Sequence, residues 1–489
     1  MRLRRLLASL LLGATLAGCT NLDLQDPNGP STGTFWQTAG DALAGVNAAY
    51  NALQNNGTYG RWLVFATDLR SDIGMILSPW TDLSNFTKFT FTSYDFEVNR
   101  EIWQHHYQAI FRANQVIARV PAIPMDATLR DRIVGEAKFI RALMYLNLVT
   151  LYGNVPLITT PPQPTDRPAT VGPPELWAQI EQDLTQARPV LPRSYSGNDL
   201  GRATWGAATA LLGKAYMQQG KWSQAEAALA EVIGSGLYDL MPNYADNFTD
   251  RFENNVESLF EVQFGDRSFL SAGTRGLNIS RMVGPCGPSY CDGRPTRWYV
   301  EQFLKDTTVG GRVDPRLDLT IYYNKAGGMD VYGTPFAVRY AADTTQLFFK
   351  KYGEYYLGLP GQDWDAAINF RVIRYADVLL LDAEALNELG RTAEAYPLVD
   401  RVRARVTLPP LPAGLSADSL RERILRERMF ELGLEGQRWA DLERHARITP
   451  ALQAEDPEFQ FFVAGKSELL PIPQTERDLN PNVKQNPGW

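Results

Sequence analysis

Few residues in this chain are of the types that carry acid, base or metal chemistry. Only three histidines, His105, His106 and His445, occur among 489 residues. Adjacent helical positions point about 100° apart, so His105 and His106 do not share one ion, and no HExxH accompanies them. Surface or core roles are expected for all three, with no metal and no cofactor. There is no GxSxG elbow, no P-loop and no GxGxxG opening a helix after a strand, so hydrolase and nucleotide chemistry lose their usual support. The 55 Asp and Glu leave a paired-carboxylate glycosidase open, because such a pair is defined by separation in space. The densest run of charge is "SLRERILRERMFELGLEGQRWADLERHAR", residues 419–447. Glu431, Glu435 and Arg438 step by four and then three there, which on one helix places them on a common face, with Leu420, Ile424 and Leu434 on another. A solvated salt-bridged face and an ion network partly buried against neighbouring helices both fit that pattern; catalysis fits it least.

Cysteine offers more. The opening "MRLRRLLASLLLGATLAGC" sets Arg2, Arg4 and Arg5 ahead of an apolar run from Leu6 to Leu16, too short for a stable span, so residues 1–18 read as an export signal. Small residues lead directly into Cys19 in "LAGC", which resembles the bacterial lipoprotein box and makes Cys19 the expected lipidation site. An ordinary cleaved signal ending near a cysteine is the competing reading. The other two cysteines, in "PCGPSYC", are Cys286 and Cys291; they are close enough for a small disulfide in an oxidising compartment, and a free pair is equally compatible with the local sequence. No later stretch reaches about 18 uninterrupted apolar residues, since "ALMYLNLVTLYGNVPLI" is broken by Asn147, Tyr152 and Asn154. A body tethered by its N-terminus is therefore expected. Losing residues 1–18 removes three Arg and no acid, taking the formal charge from −7 to −10 and arguing against nucleic acid as a partner.

The elements that must position any site are helical. After a Pro-containing tether at 19–34, residues 39–54 place Leu43, Val46, Ala49, Tyr50 and Leu53 on one stripe. Residues 55–99 lose that period and read as a loop-rich insertion. Helix pairs then recur around 100–153, 203–236 and 371–406. In the second pair Leu212, Gly213, Tyr216, Ala225 and Leu229 match the tetratricopeptide pattern, and in the third Ala383, Ala395 and Val399 take the places of Gly213, Ala225 and Leu229. Small residues there let two helices approach closely. Residues 240–370 form a second loop-rich insertion with short β-like runs, "SLFEVQF" and "QLFFKKY". The end, "ELLPIPQTERDLNPNVKQNPGW", is a poor helix and a poor strand, yet it carries Trp, Ile and Leu, so residues 466–489 are expected to dock on a single body spanning 35–489.

Taken in order, the lipoprotein cysteine, "FRVIRYADVLLLDAEALNELG", "ILRERMFELGLEGQRWADLER" and the closing "LLPIPQTERDLNPNVKQNPGW" closely resemble the SusD/RagB family of outer-membrane nutrient-binding lipoproteins, with "WQHHYQAIFRANQVI" and "VDPRLDLT" as further stations. The likeness spans essentially the whole chain; Trp489 stands where Tyr is commoner in the family. It implies a mainly α fold in which tetratricopeptide-like helix pairs form one face of a single large domain and an irregular, loop-rich half with short strands forms the other. It also implies a lipid-anchored protein on the outer membrane, facing the cell exterior, that binds a glycan or oligosaccharide and acts as the lid of a SusC-like TonB-dependent transporter in polysaccharide utilization, without catalysing a reaction.

Sugar rings offer apolar C–H faces and a belt of hydroxyls, so flat aromatics stack on the face while Asn, Asp and Arg bond the belt. Family members use aromatics in the loop before the "W…Y…I…N" helix, here "SDIGMILSPWTDLSNFTKFTFTSY". Trp80 is the first candidate ring and Phe86 a second, with Asn85 and Asp72 as hydroxyl partners; Tyr290, Tyr355 and Trp364 are candidates from the other insertion. For each ring, packing as a loop anchor is the competing role. Alternatives to glycan capture are a peptide or other oligomer bound by the same system, a glycan hydrolase of the outer membrane, and a pure interaction scaffold.

Overall fold

The computed structural model describes residues 35–265, 275–449, 459 and 461–489. The export signal, the tether and Cys19 lie outside the described residues. The principal helices are α1 (Ala39–Ala52), α2 (Trp62–Thr67), α3 (Thr81–Lys88), α4 (Glu97–Arg119), α5 (Ala127–Tyr152), α6 (Pro173–Ala187), α7 (Trp205–Gln218), α8 (Trp222–Gly234), α9 (Tyr375–Glu388), α10 (Thr392–Arg405), α11 (Ala417–Leu432) and α12 (Arg438–Arg444). The architecture is mainly α: each helix from α4 to α8 packs on the next, α8 lies against α9, and α9 packs on both α10 and α11. None of the described helices is long and apolar enough to cross a membrane.

Helix starts follow from local chemistry. Thr38 and Asp41 form a reciprocal capping box on α1, Asp126 accepts the Leu129 N–H at 2.8 Å on α5, and Thr204 accepts the Ala207 N–H at 3.1 Å on α7. The tight tetratricopeptide position is literal: a Cβ on Gly213 would stand 2.8 Å from two carbons of Leu229, so α7 and α8 meet through the missing side chain. Ala383, Ala395 and Val399 are fully buried at the corresponding α9–α10 contact.

The 55–99 stretch holds more helix than its lost period predicts. Every residue of α2 is buried, so Trp62, Leu63, Val64, Phe65 and Ala66 show no apolar stripe to read. Short antiparallel strand pairs knit the insertions together. Among them are β1 (Gly74–Ile76) on β3 (Gly293–Pro295), and β2 (Ser258–Val262) on β4 (Phe370–Arg374), the latter interrupted by bulges. The "QLFFKKY" run supplies Phe348–Phe349, which pairs with Ile321–Tyr322.

The charged 419–447 segment is two helices, not one. α11 stops at Leu432, and Leu434 (φ 69°) and Gly436 (φ 79°) take left-handed backbone. The buried Asp68 carboxylate accepts the N–H groups of Gly436 (2.9 Å) and Arg438 (3.0 Å), which holds the break open. Arg438 therefore turns away from the glutamates. Glu431 accepts from Arg374 at 3.0 Å, Arg316 at 3.1 Å and Arg405, while Glu435 pairs with Arg374 (2.7 Å) and Lys351 (3.0 Å). All of these side chains are essentially excluded from solvent, so of the two readings of this run the buried network is the one found.

The tail packs on the body. Trp489 donates its indole N–H to the carbonyls of Lys466 and Leu469, both at 3.1 Å, and meets Phe91 and Tyr94 edge-on. The buried Asn486 amide donates to the Tyr152 and Leu470 carbonyls, and Gly153 (φ 67°) ends α5 beneath Leu469.

Candidate functional site

Two loops far apart in sequence are joined by the β1–β3 ladder. Ile76 pairs with Gly293, and the Leu77 N–H reaches the Asp292 carbonyl at 2.7 Å. Trp80 follows β1 and Tyr290 precedes β3, so this ladder carries their loops to one region. A third loop, residues 360–366, closes on the second: the Gln362 N–H donates to the Pro288 carbonyl (3.0 Å), and a Cβ on Gly361 would lie 3.0 Å from that oxygen.

The result is a row of rings and guanidinium groups. Trp80, half-buried, lies edge-on to Trp62 at 6.2 Å. Trp62 is buried and donates its indole N–H to Glu101 at 2.7 Å. Arg61 stands between two indoles, 4.8 Å from the Trp62 centroid and 4.9 Å from that of Trp364. Trp364 meets Tyr290 at 5.3 Å with the rings inclined by 58°, and Arg281 lies 4.7 Å from the Tyr290 ring. Tyr290 and Trp364 are the exposed members, at 48% and 37%.

Polar groups line the same row. Arg61 donates to the Asn278 amide oxygen at 3.2 Å, and its Nε is buried without a partner among the described residues. Burial lowers its pKa, against the pull of Glu101, Glu97 and Asp365, but an arginine so placed keeps its charge. Asn278 also donates to the Trp364 carbonyl at 2.5 Å. The backbone before α2 makes the arrangement possible: a Cβ on Gly57 would fall 1.9 Å from the Glu101 carbonyl oxygen, so only glycine lets this turn lie on α4.

Trp80, Tyr290 and Trp364 are thus brought together, and the other sequence candidates are not. Phe86 is fully buried between Phe91 (5.6 Å) and Phe96 (5.4 Å), so it is a core ring and offers no face to a ligand. Asp72 borders an open cleft of about 520 Å³, but it is 1% exposed and both its oxygens are taken by Arg438, at 2.8 and 2.6 Å. Its charge is spent on an internal ion pair and does not serve ligand hydroxyls. Asn85 sits half-buried within α3, where its carbonyl accepts the Thr90 N–H at 3.2 Å. Tyr355 belongs to a separate aromatic group, edge-on to Tyr322 at 6.4 Å under the Lys350 ammonium. Arg61, Trp62 and Arg281 were not legible as site residues. The one available signal was the Arg-Trp dipeptide after a glycine-rich turn, "NNGTYGRW".

Nothing in the row is arranged for acid–base chemistry. His105 accepts the Gly57 N–H at 2.9 Å, His106 is buried with Nδ1 2.7 Å from the Ile102 carbonyl, and burial pushes both down to about 4. His445 bonds Glu384 at 2.8 Å. No group of His, Cys, Asp and Glu among the described residues has the geometry to hold a metal ion. Cys286 and Cys291 are joined in a disulfide, Cα to Cα 4.9 Å, immediately beside Tyr290.

The protein is of mainly α class, a frame of tetratricopeptide-like helix pairs whose insertions carry this group of rings, with Trp364 and Tyr290 exposed. Residues 257–489 match the model of the SusD family, and residues 41–217 match one described as starch-binding and associating with the outer membrane. A solved laminarin-binding SusD-like protein is 32% identical, with TM-score 0.77, over 93% of this chain and 100% of that one. A SusD superfamily protein of Bacteroides vulgatus gives TM-score 0.85 at 25% identity, over 93% of this chain and 100% of that one. SusD-like protein P2 of Formosa agariphila is 28% identical over 98% of each chain. The chain belongs to the SusD/RagB family.

Proposed function

We propose that this protein is a non-catalytic, carbohydrate-binding member of its family that captures a glycan or oligosaccharide on the rings Trp80, Trp364 and Tyr290, which the buried Trp62 and the adjoining Arg61 connect. The observation that carries the reading is the pair of exposed, mutually inclined rings Trp364 and Tyr290, flanked by the guanidinium groups of Arg61 and Arg281. Ring faces stack on the C–H face of a sugar while the guanidinium of Arg61 meets its hydroxyls. Two rings inclined by 58° suit a chain that curves between successive sugars better than a flat one. The laminarin-binding relative supports a glycan as the ligand class.

Association with the outer membrane accords with the family description. The finer reading is that Cys19 carries the lipid, the body faces outward, and it closes as a lid over a SusC-like TonB-dependent transporter. A tether keeps released ligand at high effective concentration over the pore, so individual affinities can be weak. Titration of the purified body with laminarin and other glycans tests the binding claim: saturable binding with no new reducing ends supports it. Product release abolished by one carboxylate substitution would replace it with the hydrolase reading, and preferential binding of peptides would replace the ligand class.

A further inference from the structure

Tyr290 is the most exposed ring of the row, and it lies inside the small covalent loop closed by Cys286 and Cys291. Its own ring contacts are one tilted neighbour, Trp364, and one guanidinium, Arg281. The backbone beneath it is fastened from several sides. Ser289 N–H donates to the Pro285 carbonyl at 2.8 Å and Tyr290 N–H to the Arg281 carbonyl at 2.9 Å. Arg281 Nη1 donates to the carbonyls of Pro288 (2.9 Å) and Gln362 (2.6 Å), so one side chain clamps the disulfide loop to the loop that carries Trp364. Tyr340 bonds the Cys286 carbonyl at 2.9 Å, and Arg294 Nη2 approaches both sulfurs, at 3.2 and 3.4 Å. Cys291 itself has φ 55°, left-handed backbone that a side-chain-bearing residue seldom adopts without being held there.

We propose that the Cys286–Cys291 disulfide and Arg281 form a positioning device that fixes the Tyr290 ring against Trp364, coupling ligand affinity to the disulfide. This rests on the glycan-platform reading. A ring that is ordered before the ligand arrives loses less freedom on binding, and an opened six-residue loop regains backbone states that would have to be frozen again. Neither cysteine nor Arg281 need touch the ligand.

Hydrogen exchange and laminarin titration on the whole chain separate this idea from the reading beneath it. The disulfide is removed either by Cys286→Ser with Cys291→Ser, or by dithiothreitol, whose two thiols give two electrons and two protons to the sulfurs and close to a disulfide. The expected result is faster amide exchange confined to residues 285–291 and 360–366, and a laminarin affinity lower by roughly 2- to 10-fold, the range of a ring contact. In a Tyr290→Ala background the same removal is expected to change affinity by less than about 2-fold, which a general loss of stability would not reproduce. Unchanged exchange in both loops overturns the proposal, and so does an equal affinity loss with or without Tyr290. If laminarin binds no form of the protein, the glycan reading fails while the exchange data still decide whether the disulfide positions the ring.

Discussion

Glu431→Gln is expected to be among the most damaging conservative changes available in this protein. The residue is fully buried, and its carboxylate meets Arg316 at 3.1 Å, Arg374 at 3.0 Å and Arg405. Its backbone carbonyl holds Tyr244 (2.9 Å) and Arg374 (3.0 Å) as well, so the segment cannot easily swing out to water. The cations of the cluster are Arg316, Lys351, Arg374, Arg403, Arg405 and, at its edge, Arg426; the anions are Asp314, Glu257, Glu427, Glu431, Glu435 and, at its edge, Asp306. The charges balance, and glutamine leaves one buried cation uncompensated while turning an N–H₂ toward three guanidinium groups. Removing one partner of a buried ion network costs about 3–5 kcal/mol, against a total stability of roughly 5–15 kcal/mol. Thermal unfolding at neutral pH followed by circular dichroism, with urea titration for the free energy, measures it. Combining Glu431→Gln with Arg405→Met restores the balance and is expected to be less than additive by roughly 1–3 kcal/mol. A single variant within about 1 kcal/mol of the native protein, or strict additivity in the double, refutes the reasoning.

Other outcomes follow from the same geometry. Gly213→Val is expected to destabilise by about 1–3 kcal/mol despite valine's better helix propensity, because its Cβ meets Leu229 at 2.8 Å; equal or higher stability in urea titration would contradict the tight contact. Trp489→Ala is expected to speed amide exchange in residues 466–489 and leave glycan affinity unchanged. Acid should destabilise the fold: burial would raise Glu431, but Arg405, Arg374 and Arg316 hold it well below the carboxylate range, and Lys214 and Arg428 likewise outweigh burial to bring Asp377 to about 2. Their stabilisation is present above the unfolded pKa near 4 and is lost as pH falls below it. Asp68 has the opposite sign, since burial raises it to about 7; the stability it contributes in acid is lost as pH rises from about 4 to about 7. Urea titrations across that interval are expected to show a steeper decline in the native protein than in Asp68→Asn, and parallel curves would count against the assignment.

The frame was legible because close-packed helix pairs leave a periodic mark. Gly213 with Leu229, and Ala383 with Val399 in the corresponding places, mark the close approach of each pair, and 3.6-residue spacing survives in the one-dimensional string. The docked end was legible for a related reason: Trp489 among Asn and Pro gains only by packing. The α11–α12 break was not, since its cause, the Asp68 carboxylate, lies more than three hundred residues upstream. The site was half legible. Composition and loop context find accessible rings such as the half-buried Trp80 and the exposed Tyr290 and Trp364, but spacing cannot tell them from Phe86, which the same kind of loop sends into the core. Arg61 and Arg281 escaped because a guanidinium gains a role in the row only from the ring beside it, and those rings arrive through the β1–β3 ladder and the Gln362–Pro288 bond.

The most direct test of the central claim is calorimetric titration of laminarin into the native protein and into Tyr290→Ala, Trp364→Ala and their double variant, with folding checked by circular dichroism. Saturable native binding is predicted, weakened in each single variant by about 0.5–1.5 kcal/mol, or roughly 2- to 10-fold, and weakened further in the double. Native affinity retained by a folded double variant would show that glycan is held elsewhere and would contradict the account.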